Sequence, residues 1–308
     1  MGCSMLNGKP LCAVDAAIDL TEEEIMRLRN SFELTTIDFL KPAAMSMLDF
    51  DLLLAHSKLP DDLVKNFRKC RYIGFRAHNT DYINPNIAKE LGITVKGIPQ
   101  IGANAVAEHT FALIFAVTKR IVASNENVVN GKWREQSKPN YELCGKTLGI
   151  IGYGKIGKLV AGFGRLFGMD VLVASTPGEK EIGRAPLEEV LEQSDILTLH
   201  ASTKAGNDNL LNRERMFMMK DNAIIINTAR GKLMDYNALE EALKSGKLFG
   251  VGLDVFPEEP VQSLELCQLP NVVSTPHHAF YTDRTIALMN RHLIDNAVTY
   301  FTPKESLQ

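Results

Sequence analysis

Leu148-Gly149-Ile150-Ile151-Gly152-Tyr153-Gly154-Lys155-Ile156-Gly157 decides how the rest of this 308-residue chain is read. An apolar run passes into G-x-G-x-x-G, and Ile156, Leu159, Val160, Phe163, Leu166 and Phe167 then recur at helical spacing. Strand, glycine turn and amphipathic helix, in that order, are the context that a dinucleotide fingerprint requires. Gly152 permits the tight turn, Gly154 lets the backbone approach a pyrophosphate, and Gly157 brings helix close to strand. The helix start offers free N–H groups and a positive dipole end to phosphates. Residues Gly152, Tyr153, Gly154, Lys155, Ile156 and Gly157 are therefore expected to hold a dinucleotide.

Working outward, short apolar runs alternate with helical patterns. Strands are expected at Val171 to Ala174, Ile196 to His200, Ala223 to Asn227, Gly250 to Val255 and Val272 to Ser274. Helices fall between most of them, as at Pro186 to Gln193 and Asn237 to Ser245, the latter stopped by Gly246. Upstream, strands are expected at Leu11 to Val14, Phe50 to Ala55, Arg71 to Phe75 and Ile93 to Lys96. Thr21 and Glu24 form a capping box for one helix, and Pro60 to Cys70 reads as another. Such alternation specifies the α/β class: a Rossmann-type doubly wound parallel sheet plus a smaller α/β domain. Gly97-Ile98-Pro99-Gln100 is the joint. Beyond it, Ala103 to Val122 reads as one long apolar helix buried between domains or subunits, and Thr282 to Phe301 as a helix returning to the first domain.

Composition sets bounds. Hydrophobic residues make up 45% and charged residues 23%, and the net charge is −3, so no basic footprint for nucleic acid is present. Five scattered cysteines suit a reducing compartment and suggest neither a disulfide framework nor a metal site. No apolar stretch approaches the roughly 20 residues that span a bilayer. The chain reads as cytoplasmic.

Ligands of open α/β sheets bind beyond the carboxyl ends of the strands. Those ends carry Ser175-Thr176, His200, Thr228-Ala229-Arg230-Gly231, Asp254 with Glu258-Glu259 just beyond, and Pro276-His277-His278. An arginine, a carboxylate and a histidine thus meet on the rim where a cofactor's reactive end would sit. Taken singly, each has a bland reading as a surface cation, a turn or a packing residue; their joint placement points to a site.

Here a resemblance becomes specific. Ala105-Val106-Ala107-Glu108-His109-Thr110, the glycine fingerprint, Asn227-Thr228-Ala229-Arg230-Gly231, Gly252-Leu253-Asp254-Val255-Phe256 through Glu259-Pro260, and Thr275-Pro276-His277 span nearly the whole chain. In this order they resemble the D-isomer-specific 2-hydroxyacid dehydrogenases. The resemblance implies a flavodoxin-like substrate domain from residues 1–100 and 279–308, a dinucleotide domain from 101–278, and an active site in the cleft between them. It also implies roles. His277 is the general acid for a keto oxygen and the base in reverse, Glu259 orients its ring and raises its pKa, and Arg230 grips the substrate carboxylate. Ser175, Thr176, His200, Thr228, Ala229, Arg230, Asp254 and His277 are expected around NAD(P), with Asp254 near the nicotinamide carboxamide. Ala77 and His78 would offer backbone N–H groups to the substrate. Arg76 is either a substrate-loop contact or an inter-domain ion pair. Members of the family are commonly homodimers joined through the nucleotide domain; the helix from Ala103 and Trp133 are the candidate interface here.

Three departures from the family pattern bear on specificity. Asn79 stands where glycine is usual, and asparagine tolerates positive φ. Ser175 replaces the acidic residue that binds the ribose hydroxyls of NAD, which tilts the reading slightly to NADP, with Lys180 or Arg184 as cations within reach. His278 stands where a small or aliphatic residue is frequent. Residues 184–190 with Ser194-Asp195 look like glycerate dehydrogenases, the hydroxypyruvate reductases, whereas Ala279-Phe280-Tyr281-Thr282 looks like D-lactate dehydrogenases. A glyoxylate or hydroxypyruvate reductase is the first expectation and a D-lactate dehydrogenase the second. Formate is disfavoured because Glu259 stands where formate dehydrogenases carry glutamine, and phosphite oxidation would need more cations near the loop. From another class, a nucleotide-sensing corepressor keeps the same arginine, glutamate and histidine, so those residues do not exclude it. No metal, nucleic-acid or membrane partner is expected.

Overall fold

The computed structural model describes residues 8–39, 49–134, 139–175, 183–202 and 207–302, in two compact units: residues 1–101 with 283–308, and residues 102–282.

The first unit begins with strand β1 (Leu11–Asp15), helix α1 (Glu22–Ser31), β2 (Glu33–Ile37) and β3 (Leu52–Ala55). Then come α2 (Asp61–Val64), β4 (Tyr72–Phe75), α3 (Pro85–Glu90) and β5 (Thr94–Lys96). All five strands are parallel, in the order β2-β1-β3-β4-β5, which is the flavodoxin-like winding. Leu52 to Ala55 and Tyr72 to Phe75 are buried on both faces, as a sheet covered on two sides demands. The expected capping box is present: the Thr21 side chain accepts from the Glu24 N–H and the Glu24 carboxylate from the Thr21 N–H. The expected helix at Pro60 to Cys70 is shorter, ending at Val64. Beyond it a turn follows, with Phe67 N–H bonded to the Val64 carbonyl, and Phe67 and Cys70 still enter the core. The unit is completed from the far end of the sequence by α10 (Asp283–Phe301), which packs on β4 and α1. Leu293 is fully buried there; a Cβ on Gly74 of β4 would meet its methyl at 3.0 Å.

The second unit runs α4 (Ala103–Thr118), α5 (Ile121–Val129), β6 (Thr147–Ile151), α6 (Lys155–Leu166), β7 (Asp170–Val173), α7 (Leu187–Gln193) and β8 (Ile196–Leu199). It continues with α8 (Arg213–Met218), β9 (Ala223–Asn227), α9 (Tyr236–Lys244), β10 (Leu248–Leu253) and β11 (Val272–Ser274). The six parallel strands lie in the order β11-β10-β9-β8-β6-β7. Ala185 adds an isolated parallel bridge to Ala174 just past β7, a rudiment of an outer strand. The winding reverses between β6 and β8, where an open sheet of this kind takes its ligand.

The long helix expected from Ala103 to Val122 is two helices. Arg120 adopts φ 49°, a left-handed conformation that no α-helix continues through, and its guanidinium settles 4.7 Å over the Phe249 ring. The first piece, α4, packs on the sheet of its own unit, with Ala107, Phe111, Leu113, Ile114 and Val117 in the core beside Ile150 and Ile226. The second piece, α5, buries no residue.

Candidate active site

The fingerprint turn sits at the winding reversal. Gly152 has φ 96°, and a Cβ on it would overlap the backbone of His200 and Ala201 just past β8. A Cβ on Gly157 would overlap the Gly152 carbonyl, whereas one on Gly154 would meet nothing within 4 Å. Two glycines are thus required by close packing, and the third leaves open space at the start of α6, room that a pyrophosphate would need. Beside it, His200 accepts or donates through Nε2 to the Thr198 hydroxyl at 3.0 Å, while its buried Nδ1 has no protein partner. Burial alone pushes this imidazole down to about 3, so it is neutral at ordinary pH. An open glycine cradle and an unpartnered polar atom both fit a bound dinucleotide. Two cations approach the Tyr153 ring, Arg184 at 5.5 Å and Lys158 at 6.0 Å from its centroid. Ser175 donates its hydroxyl to the Ala185 carbonyl at 3.1 Å; Thr176 and Lys180 lie outside the described residues.

Three arms leave the strand ends of β9, β10 and β11. The first is Thr228-Ala229-Arg230-Gly231. Buried Asn227 holds it, accepting from the Ala229 N–H at 3.0 Å and donating to the Arg230 carbonyl at 3.0 Å. Arg230 itself is exposed, with one guanidinium nitrogen on the Ala229 carbonyl at 2.7 Å. The next residue, Gly231, lies against the backbone of Phe256 and Pro257, so the first arm is packed directly on the second.

The second arm carries Glu259. Its Oε1 accepts from the Phe256 N–H at 2.9 Å, and its Oε2 accepts from Nδ1 of His277 at 2.7 Å. A carboxylate cannot donate, so Nδ1 carries the hydrogen and Nε2 is left with its lone pair or a transferable proton. One carboxylate therefore fixes both its own rotamer and the imidazole tautomer.

On the third arm His277 takes φ 57°, a left-handed conformation costing a non-glycine residue about 1–2 kcal/mol. Buried Asp254 offsets that cost. Its backbone carbonyl accepts from the His277 N–H at 2.8 Å, Oδ1 from the His278 N–H at 2.8 Å, and Oδ2 from the Ala279 N–H at 2.9 Å. The Thr275 hydroxyl adds a bond to Oδ1 at 2.6 Å. Asp254, expected near the nicotinamide carboxamide, bonds to the histidine arm and also lies 3.6 Å from His109 Nε2 of α4. His278 stacks on Tyr281 at 5.3 Å.

The remaining expected residues lie in the first unit. Arg76 is 2% exposed, donates to the Ala17 carbonyl at 3.0 Å and contacts Asn290 of α10 at 3.5 Å. Through these two contacts the side chain ties the β4 turn to α10. Among the described residues the N–H groups of Ala77 and His78 have no acceptor, while the Ala77 carbonyl accepts from Ile98 at 2.9 Å. Asn79 does not use positive φ; its amide donates to Asp81 at 2.8 Å, so a glycine is not needed. Among the described residues no cluster of His, Cys, Asp or Glu could hold a metal ion. The supporting residues Asn227 and Thr275 were within motifs legible in the sequence, but nothing in the string told that they hold the arms.

A parallel sheet with a dinucleotide turn at its winding reversal defines a nucleotide-binding domain, and the arms beyond its strand ends suit redox chemistry on a polar carbonyl. Residues 111–279 match the family model for the D-isomer specific 2-hydroxyacid dehydrogenase, NAD binding domain. The chain is 38% identical over 244 residues to a glyoxylate reductase of Pyrococcus furiosus, covering 74% of this chain and 73% of that one. It is 36% identical over 252 residues to a glycerate dehydrogenase of Methylorubrum extorquens, covering 79% and 80%. A D-lactate dehydrogenase from Aquifex aeolicus, solved with NAD and lactic acid, superposes with a TM-score of 0.77 at 30% identity, covering 94% and 95%. The chain belongs to the D-isomer specific 2-hydroxyacid dehydrogenase family. It is an NAD(P)-dependent oxidoreductase of small 2-hydroxy and 2-keto acids.

Proposed function

We propose that this chain reduces glyoxylate or hydroxypyruvate to the corresponding 2-hydroxy acid, with Arg230, Glu259 and His277 as its catalytic residues. The observation that carries the reading is the 2.7 Å bond from His277 to Glu259, which presents Nε2 as the proton-transferring atom. The nicotinamide supplies the hydride to the keto carbon when bound. His277 delivers the proton to the carbonyl oxygen from Nε2, and Glu259 stabilises the imidazolium before that transfer. Arg230 offers a planar, permanently charged fork to the substrate carboxylate. In the first unit, the N–H groups of Ala77 and His78, which have no acceptor among the described residues, suit a carboxylate. Overall, keto acid, NAD(P)H and one proton become hydroxy acid and NAD(P)+. The small substrates are supported by the glyoxylate reductase and glycerate dehydrogenase relatives. Pyruvate is the second reading, supported by the likeness to the lactate enzyme.

Preference for NADP is supported by Ser175, which carries no charge against a 2′-phosphate, and by the Arg184 guanidinium over Tyr153. A homodimer formed through α5 is supported by its uncovered apolar side chains, and a cytoplasmic location fits the four free cysteines among the described residues. Turnover is measured with glyoxylate, hydroxypyruvate, pyruvate and phenylpyruvate, each with NADH and NADPH. Glyoxylate or hydroxypyruvate with NADPH should give the highest kcat/KM. His277→Ala and Arg230→Ala should each lower kcat/KM by about 10²–10⁴-fold without loss of folding. Wild-type rates in either variant would remove the assigned roles, and dinucleotide binding without turnover of any keto acid would point to a nucleotide sensor instead. Arg184→Ala should weaken NADPH by about tenfold or more and leave NADH nearly unchanged; equal effects on both would end the NADP reading.

A further inference from the structure

Helix α4 carries no residue of the catalytic set, yet two of its adjacent side chains reach two different arms. Thr110 Oγ1 lies 2.7 Å from the Val106 carbonyl and 3.0 Å from Thr228 Oγ1, at the root of the Arg230 arm. His109 Nε2 lies 2.9 Å from Thr275 Oγ1, at the root of the His277 arm.

Proton counting fixes the direction of each bond, because a hydroxyl has one hydrogen to give. Thr110 gives its hydrogen to the Val106 carbonyl, so it accepts from Thr228. Thr275 gives its hydrogen to Asp254 Oδ1 at 2.6 Å, so it accepts from His109, whose hydrogen must be on Nε2. Burial holds the His109 imidazole below its usual range, opposed by Asp254 and assisted by His278. In either protonation state it donates from Nε2. Asp254 then passes the constraint to the backbone of residues 277–279.

Stability alone does not call for this arrangement. Thr110 is 0% exposed, Asp254 1% and Thr228 7%, and the neighbouring buried positions of α4 are apolar. Apolar side chains of like shape would fill the same space without the desolvation of several polar atoms. What directional bonds add over apolar packing is orientation. We propose that His109 and Thr110 are positioning residues: they tie the Arg230 arm and the His277 arm to one rigid helix and so set the geometry at which a keto acid is gripped and protonated. The proposal rests on the roles of Arg230 and His277 given above.

The two anchors serve different arms, so their loss separates in the kinetics. Thr228→Val frees the arginine arm and should raise KM for the keto acid by about tenfold, with kcat reduced much less. Thr275→Val frees the histidine arm and should lower kcat by about 10–100-fold, the effect of a small misplacement of a reacting group. KM and NAD(P)H binding should then change by less than about twofold, and Thr275→Ser, which keeps the hydroxyl, should restore kcat. If Thr275→Val does not fold, His109→Leu is measured in its place with the same expectation. Unchanged kcat and KM in the folded variants overturns the proposal, as does a parallel loss of both parameters that serine does not rescue. Inactive His277→Ala beside an unaffected Thr275→Val removes the anchor alone. A fully active His277→Ala removes the acid–base reading on which it stands.

Discussion

His200 combines a buried imidazole with a position beside the glycine turn, and its protonation is therefore linked to folding. Its folded-state pKa, about 3, lies below the ordinary 6.5, so the unfolded chain takes up the proton first as pH falls. The contribution is fully present above about pH 6.5 and is lost progressively as pH falls towards about 3. Urea unfolding at pH 7 and pH 4 measures it. The wild type should lose about 3 kcal/mol more between those values than His200→Gln, a difference ascribable to this one group. Identical losses in both proteins would show that His200 is not held neutral. At the same scale Arg76 is instructive. Its sequence position beside Ala77 and His78 suggested either a substrate contact or an ion pair to the other domain. The local string does not reveal that Ala17 and Asn290, far away in sequence, meet the guanidinium.

At the scale of elements, the three arms depend on close backbone approach as much as on side-chain bonds. Gly231 is the clearest case, because any Cβ there would strike the backbone of Phe256 and Pro257, which cannot swing aside as a flexible side chain would. Gly231→Ala should cost about 3 kcal/mol or more and displace the Arg230 and Glu259 arms together. Thermal denaturation and kcat/KM on the same preparation check this. A stable, fully active variant would show that the two arms are not packed as described. The fate of α4 and α5 carries a related lesson. Apolar periodicity runs through Lys119 and Arg120 almost unbroken, so the pattern predicts one helix. The break comes from Arg120, whose left-handed backbone is held beside the Phe249 ring, a contact across more than a hundred residues.

At the scale of the whole molecule, α5 and the turn after it gather several exposed apolar side chains. Val129 is 77% exposed and Trp133 73%, with Ile121, Val122 and Val128 more than half exposed. An amphipathic helix normally buries its apolar stripe, and one that buries nothing leaves that area for a partner. Sedimentation at micromolar concentration should show a dimer for the wild type and a monomer for the double variant Val129→Asp with Trp133→Glu. A wild-type monomer would end the dimer reading. Among the described residues no helix is long and apolar enough to cross a membrane, so an apolar face of this kind has no bilayer role as a span.

The sequence by itself determined the winding, the fingerprint and the positions of the arms. Alternating apolar runs and helical stripes are local signals, and Gly152 and Gly157 are needed wherever a strand turns sharply into a helix against a neighbour. Arg230, Glu259 and His277 were legible because each follows a strand, and strand ends are where such a sheet presents chemistry. Only the tertiary structure decided what holds those residues. Asp254 and Thr275 read as members of a motif, but their partners are His109, His278 and Ala279, set by how β10, β11 and α4 pack. Hydrogen-bond direction depends on atoms brought together from distant parts of the chain, and a buried carboxylate or hydroxyl acquires its role only when its acceptors and donors are in place. Local order fixes the elements; the desolvated polar contacts between them fix the geometry of the site.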